Sequence, residues 1–193
     1  MTMTKTLKPN LSPLPHNPDN QQATLPMLVD RVSFMIHRIG EHMARICNPW
    51  FQEWGLDLVT SRMMVALLER ETMTAGEIVK IMALPQSTIS HQLKRLEGLG
   101  YLTRTVGADD SRIVVARLTE RGLDVAQRSN QLSRTVVTQL VSAIGEDDLD
   151  RVRAALKRAD AALEAMFDAT AASAPRSRRK RQSADKARSD KPH

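Results

Sequence analysis

Residues 86–102 read QSTISHQLKRLEGLGYL. Ile89, Leu93 and Leu96 recur at helical spacing, and Gly98 and Gly100 loosen and end the helix. Pro85 suits the first helical position, where a missing N–H costs nothing. The first two turns nevertheless hold Gln86, Ser87, Thr88, Ser90, His91 and Gln92, where Glu and Ala would make a stronger helix. The first acid is Glu97, near the far end. A helix end entering a DNA major groove needs short donors and acceptors that approach base edges and phosphates without clash or repulsion. Lys94 and Arg95 follow at positions from which they reach the phosphate backbone.

On the N-terminal side, Thr74 and Glu77 form a capping box that opens a helix with Ile78, Ile81 and Met82 predicted inward. The linker ALPQ joins the two helices, a spacing that fits a helix-turn-helix. Helix pairs with polar surfaces are common, so this shape is weak evidence by itself. The C-terminal side narrows the choice. Two β-capable runs, 102–106 and 113–118, flank the Gly/Asp turn GADDSR and predict a hairpin with a charged tip. Leu102, Arg104 and Val106 share one side of its first strand. A charged hairpin directly after a recognition-type helix is a winged helix, and its tip residue Arg112 is placed to enter a narrow, electronegative minor groove. Residues 80–121 carry seven Lys/Arg against four Asp/Glu. The chain is positive where the motif sits.

The flanks are helical. Leu28, Val32, Met35, Ile39, Met43 and Ile46 predict a long amphipathic helix stopped by Asn48-Pro49. The aromatic connection WFQEWGLDL follows, and Thr60 is predicted to cap a helix with Met63, Met64, Leu67 and Leu68 inward. Thr119 caps a further long helix carrying Leu123, Ala126, Val137, Leu140 and Ile144 as far as Gly145. Leu149, Val152, Leu156, Ala159, Leu163 and Met166 set the same rhythm in the last one. Such narrow seams find partners in a bundle or another subunit. Leu149, Val152, Leu156 and Leu163 are the dimer-interface candidates.

The fold class is therefore mostly α with a small β-hairpin, a winged helix-turn-helix inserted in a helical dimerisation domain. Residues 1–23, with Pro9, Pro13, Pro15 and Pro18, read as a disordered arm. Residues 24–58 read as the first dimerisation helix and its connection, and 59–118 as the DNA-binding lobe. Residues 119–171 read as the C-terminal dimerisation helices. Residues 172–193 read as a disordered basic tail. From Arg176 onward there are eight Lys/Arg and two Asp, the whole of the net +6, so the first 175 of the 193 residues are neutral. Such a tail adds salt-sensitive, sequence-blind attraction to nucleic acid, or is simply solvated.

Several classes find no support. The sequence has no phosphate-cradling glycine loop, nucleophile motif or paired-carboxylate cleft, so an enzyme or a cofactor is not expected. No run approaches the ~20 apolar residues a bilayer needs, and the N-terminus lacks a secretory h-region. One cysteine, Cys47, makes no internal disulfide. A cytoplasmic protein without membrane contact is the expectation.

The run MTAGEIVKIMALPQSTISHQLKRLEGLGYLTRTVGADDSRIVVARLTERG, residues 73–122, resembles the winged-helix core of the MarR family of multiple antibiotic resistance regulators. The matching features are the hydroxyl-rich helix, RLEGLGYLTR, the Asp110-x-Arg112 tip and RLTERG. Pro85 departs from the hydroxyl cap of many members. The resemblance implies a homodimeric regulator, a repressor or an activator, on a pseudo-palindromic operator in double-stranded DNA. By that likeness Asp110 orients Arg112, residues Gln86 to Lys94 face the major groove, and the first and last two helices dimerise.

Three triggers compete. An organic effector, such as an aromatic acid or its thioester, would sit among Met35, Ile39, Met43, Trp50, Trp54 and Met64, with Arg45 or Arg62 meeting a carboxylate. The same residues also read as plain core and elbow packing. Oxidation at Cys47, helped by Arg45, is an alternative, although the single Tyr101 offers none of the support found in peroxide-sensing relatives. Metal binding is disfavoured, because His37, Glu41 and His42 do not complete a ligand set. An architectural or RNA-associated protein driven by the basic tail is the competing function.

Overall fold

The computed structural model describes residues 26–106 and 114–173. The arm at 1–23, the tip residues Asp110 and Arg112, and the tail beyond Ser173 lie outside these. Of the described residues, 26–106 and 114–145 belong to one compact unit. A short 3-10 turn at Leu28–Asp30 precedes α1 (Val32–Gln52), α2 (Leu58–Arg70), β1 (Thr72–Thr74), α3 (Ala75–Met82), α4 (Gln86–Gly98), β2 (Leu102–Val106), β3 (Val114–Leu118) and α5 (Glu120–Ile144). The last helix, α6 (Glu146–Ser173), forms the second unit's described part.

The first helix does not stop at Asn48-Pro49. It runs on to Gln52 with Pro49 inside it. A proline there forfeits one hydrogen bond and crowds the preceding turn, at about 3 kcal/mol. Burial of Cys47 and Phe51, at 1% and 0% exposure on either side of it, offsets that cost. The Asn48 side chain faces forward instead, its Oδ1 accepting the Leu58 N–H at 2.9 Å. Gly55, at φ +67°, turns the chain between α1 and α2.

Asp57, not Thr60, caps α2. Its Oδ1 accepts the Thr60 N–H at 2.8 Å, while Thr60 Oγ1 accepts the Asp57 N–H at 2.9 Å. Both halves of the reciprocal cap are filled, so Thr60 sits one turn inside the helix and is fully buried. From α2, Met63, Met64 and Leu67 enter the core, as expected, with Leu68 half-buried. A buried hydroxyl pair, Ser61 and Ser129 at 2.5 Å, fixes α2 against α5.

The sheet is larger than a hairpin. β1 adds a third strand in the order β1-β3-β2, all antiparallel. Ala116 at the centre of β3 pairs with Met73 on one side and Arg104 on the other. Met73, Ala116, Leu102 and Leu118 seal the inner face. Thr119 caps α5 by accepting the Gly122 N–H at 3.0 Å, and its own N–H donates to the Tyr101 carbonyl. That approach leaves no room at Gly122, where a Cβ would lie 1.8 Å from Tyr101 O.

α6 is a 28-residue helix opened by Glu146, Asp147 and Asp148, where negative charge suits the helix dipole. Leu156 and Leu163 are 45% and 65% exposed on it, and Val152, Met166 and Phe167 are exposed as well. α1 carries a comparable stripe, with Val32, Met35, Ile36, Ile39, Ile46 and Trp50 exposed. Among the described residues no helix is long and apolar enough to cross a membrane.

Candidate nucleic-acid interface

Thr74 and Glu77 cap α3 reciprocally, as their spacing predicts. The Thr74 backbone and side-chain donors hold the Glu77 carboxyl below the usual carboxylate range. Ile78 enters the core, Met82 is half-buried, and Ile81 turns outward at 45% exposure, contrary to expectation. α3 ends on Ala83, held in the left-handed region at φ +50°.

Pro85 occupies the cap position itself with an extended ψ of 144°, so α4 begins one residue later than its sequence suggests. No side chain caps α4, whereas Asp57, Thr74 and Thr119 cap α2, α3 and α5. Amide donors of its first turn therefore remain available to an anion. Ile89, Leu93 and Leu96, each at 1% exposure or less, pin the inner face. Gln86, Ser87, Ser90, His91 and Lys94 are exposed, with Thr88 and Gln92 at the edges. Serine, histidine and lysine spaced three and four residues apart form one continuous strip. Gly100, at φ +74°, releases the chain into β2.

Arg95 departs from that strip. Its Nη2 donates to the Gly55 carbonyl at 2.5 Å, and its Nη1 lies 3.4 Å from Asp57 Oδ2 and 3.5 Å from Gln92 Oε1. The guanidinium is engaged on the α1–α2 connection rather than exposed on the strip with Lys94. Burial pushes the Asp57 carboxyl up, but the Thr60 donors and Arg95 outweigh it and hold the acid below its ordinary range. A second pair joins α4 to the hairpin. Arg104 on β2 donates to Glu97, and those bonds hold the Glu97 carboxyl low.

Sequence reasoning missed Tyr101 as an organising residue. Its hydroxyl donates to the Trp54 carbonyl at 2.9 Å, and Arg121 stacks 5.0 Å from the ring centre. A lone aromatic after a glycine gives a sequence signal for burial but none for these partners.

The effector residues do not form one lining. Met64 is buried in the core, Met43 and Trp54 are partly buried, and Met35, Ile39, Arg45, Trp50 and Arg62 are exposed. Met64 is thereby corrected from pocket wall to core. A shallow cleft lies elsewhere, lined by Leu67, Leu68, Glu71, Arg117, Leu118 and Leu123. Cys47 is 1% exposed, and burial pushes its thiol up further than Arg62 draws it down, an environment that lends the oxidation alternative no support. Arg62, not Arg45, is the cation that acts on it. Among the described residues no group of three or more His, Cys, Asp or Glu could hold a metal ion, and His37, Glu41 and His42 do not form one.

The profile of the bacterial regulatory protein arsR family matches residues 60–104. The organic hydroperoxide resistance transcriptional regulator of Bacillus subtilis is 24% identical over 129 residues, 67% of this chain and 86% of that one. The HTH-type transcriptional regulator SarZ of Staphylococcus epidermidis is 23% identical, over 58% of this chain and 76% of its own. Among solved structures, the S. aureus MepR–DNA complex superposes with a TM-score of 0.64 at 20% identity, covering 69% of this chain and 98% of that chain. A MarR mutant from E. coli complexed with operator DNA superposes at 0.60 and 17% identity, covering 70% and 99%.

Proposed function

We propose that this chain, a winged-helix protein of the MarR type, is a DNA-binding transcriptional regulator that reads its operator with the outward face of α4. One observation carries the reading. Gln86, Ser87, Ser90, His91 and Lys94 stand exposed on a helix whose first turn has no side-chain cap, while Ile89, Leu93 and Leu96 lock its other face. Such a face offers neutral donors and acceptors to base edges and amides to phosphate, with a lysine at the far side for the backbone. Arg112, with Asp110 orienting it, reads minor-groove width in this scheme.

The working form in our reading is a homodimer on a pseudo-palindromic site, acting as a repressor. The exposed apolar stripes of α1 and α6 support the dimer, since contiguous apolar surface of this kind marks an interaction face. A small organic effector acting at the α1–α2 elbow, near Trp50, Trp54, Arg45 and Arg62, completes the scheme. A coupling of ~1–3 kcal/mol between such a site and DNA would make a useful switch.

The test is a selection of bound sequences from random DNA by the full chain, followed by salt titrations of operator and scrambled duplexes. Ser90→Ala or His91→Ala should cost ~1–3 kcal/mol and relax preference at one operator position. Deleting the tail from Arg176 should weaken both duplexes alike and flatten the salt slope by about one unit per lost phosphate contact. If tail deletion alone abolishes the operator-to-scrambled ratio, the protein is architectural instead and α4 is not the reader.

A further inference from the structure

The geometry points to Arg95 as a positioning residue that sets the reading helix from behind, by clamping α4 to the connection between α1 and α2, without touching DNA. This rests on the reading of α4 given above and adds how that helix is aimed.

Arg95 adjoins Lys94 in sequence, yet the two side chains part company. Lys94 is exposed on the outer strip, whereas the guanidinium of Arg95 bridges the Gly55 carbonyl and the Asp57 carboxylate. Both acceptors are themselves held in place. Gly55 sits in the left-handed turn that ends α1, and Asp57 is locked as the cap of α2 by two hydrogen bonds to Thr60. Asn48 ties the same connection back to α1 through the Leu58 N–H. Just beyond α4, the Tyr101 hydroxyl grips the Trp54 carbonyl. Residues 54–57 are thus held from the last turn of α4 by Arg95 and from just beyond its end by Tyr101. A displacement of the α1 terminus is transmitted to α4 through these bonds. Arginine suits the task because a planar fork serves two acceptors at once, which an ammonium on a flexible stem does not do with the same geometry.

The alternative is that Arg95 swings outward to a phosphate when DNA arrives. Salt titration separates the two, because a lost phosphate contact lowers the slope and lost positioning does not. The experiment uses the full chain with the operator it selects and a scrambled duplex, and compares Arg95→Ala, Arg95→Lys, Asp57→Asn and the Arg95→Ala/Asp57→Asn double variant, with Lys94→Ala as the phosphate control. Asparagine caps a helix as well as aspartate does, so Asp57→Asn removes the charge while keeping the cap.

Arg95→Ala should lower operator affinity about tenfold, with scrambled binding and the salt slope unchanged. Arg95→Lys should fail to restore it, and should carry the test if the alanine variant does not fold. Asp57→Asn should lose less, and the double variant should be no weaker than Arg95→Ala alone, since both break one bond. A flatter slope for Arg95→Ala, rescue by lysine, or additive losses would each overturn the proposal. If the wild-type chain selects no sequence at all, the reading of α4 fails first and the positioning role falls with it.

Discussion

Tyr101 shows how much one position can organise. Its ring carries Arg121, its hydroxyl holds Trp54, and its carbonyl takes the Thr119 N–H that starts α5. Gly122 is the counterpart of that arrangement, for its missing side chain is what lets α5 approach the Tyr101 backbone. The obstacle to a larger residue is backbone, which cannot swing aside as a side-chain tip would. Gly122→Ala should therefore destabilise the chain by about 3 kcal/mol, since overpacking against a rigid neighbour forces the elements apart. Chemical denaturation would measure it, and a loss below about 1 kcal/mol would mean that the α5 start shifts freely. RLTERG was recognisable in the sequence as a motif, but the reason for its glycine was not, because Tyr101 lies 21 residues away. The same holds for Arg95 and Lys94. Adjacent basic residues look alike in a sequence, and only the folded position of Gly55 and Asp57 separates their roles.

Elements whose stabilising contacts are local were legible. The Thr74–Glu77 box, the Thr119 cap and the Ile89–Leu93–Leu96 stripe all lie within a few turns of chain. β1 was not, since three residues have no periodicity and its strand exists only by pairing with Arg117, Ala116 and Val115. Pro49 misled for a related reason, as tertiary burial of Phe51 outweighs the local cost of continuing α1. The α3–α4 turn stands between these cases, because Ala83 takes a left-handed conformation that alanine disfavours by ~1–2 kcal/mol. Ala83→Gly removes that strain but gives the unfolded chain back about 0.4–1 kcal/mol of entropy. The strain term is the larger, so the variant should gain roughly 0.5–1 kcal/mol. A melting temperature that falls would show that another contact, not the turn, governs this residue.

At the scale of the molecule, the fold class followed from pattern, while the proposed dimer rests on apolar residues that α1 and α6 leave exposed. Stable obligate interfaces bury about 2,000 Å² or more, and the exposed apolar residues of α1 and of α6 are where the proposed dimer would find such area. Replacing Leu156 and Leu163 together by Asp should dissociate or unfold the protein. Ultracentrifugation showing a soluble dimer of the double variant would move the interface elsewhere. The charge distribution has its own consequence. Because residues 1–175 are neutral and the last 18 hold the excess, removing the tail should change how strongly the protein responds to salt far more than how it ranks sequences.

The chain's single sulfhydryl sits at Cys47, sealed at 1% exposure in the last stretch of α1 beside Pro49. An alkylating reagent in solution therefore meets no target until that end of the helix opens. Its labelling kinetics become a clock on breathing at the elbow, with one chromophore per chain and no background from other thiols. In the limit of fast labelling the clock counts openings, and in the limit of slow labelling it weighs the open population. Duplex DNA or a small acid that tightens the elbow would slow it, and one that loosens the elbow would speed it, so the direction of coupling becomes readable without a mutation or an added dye on the protein.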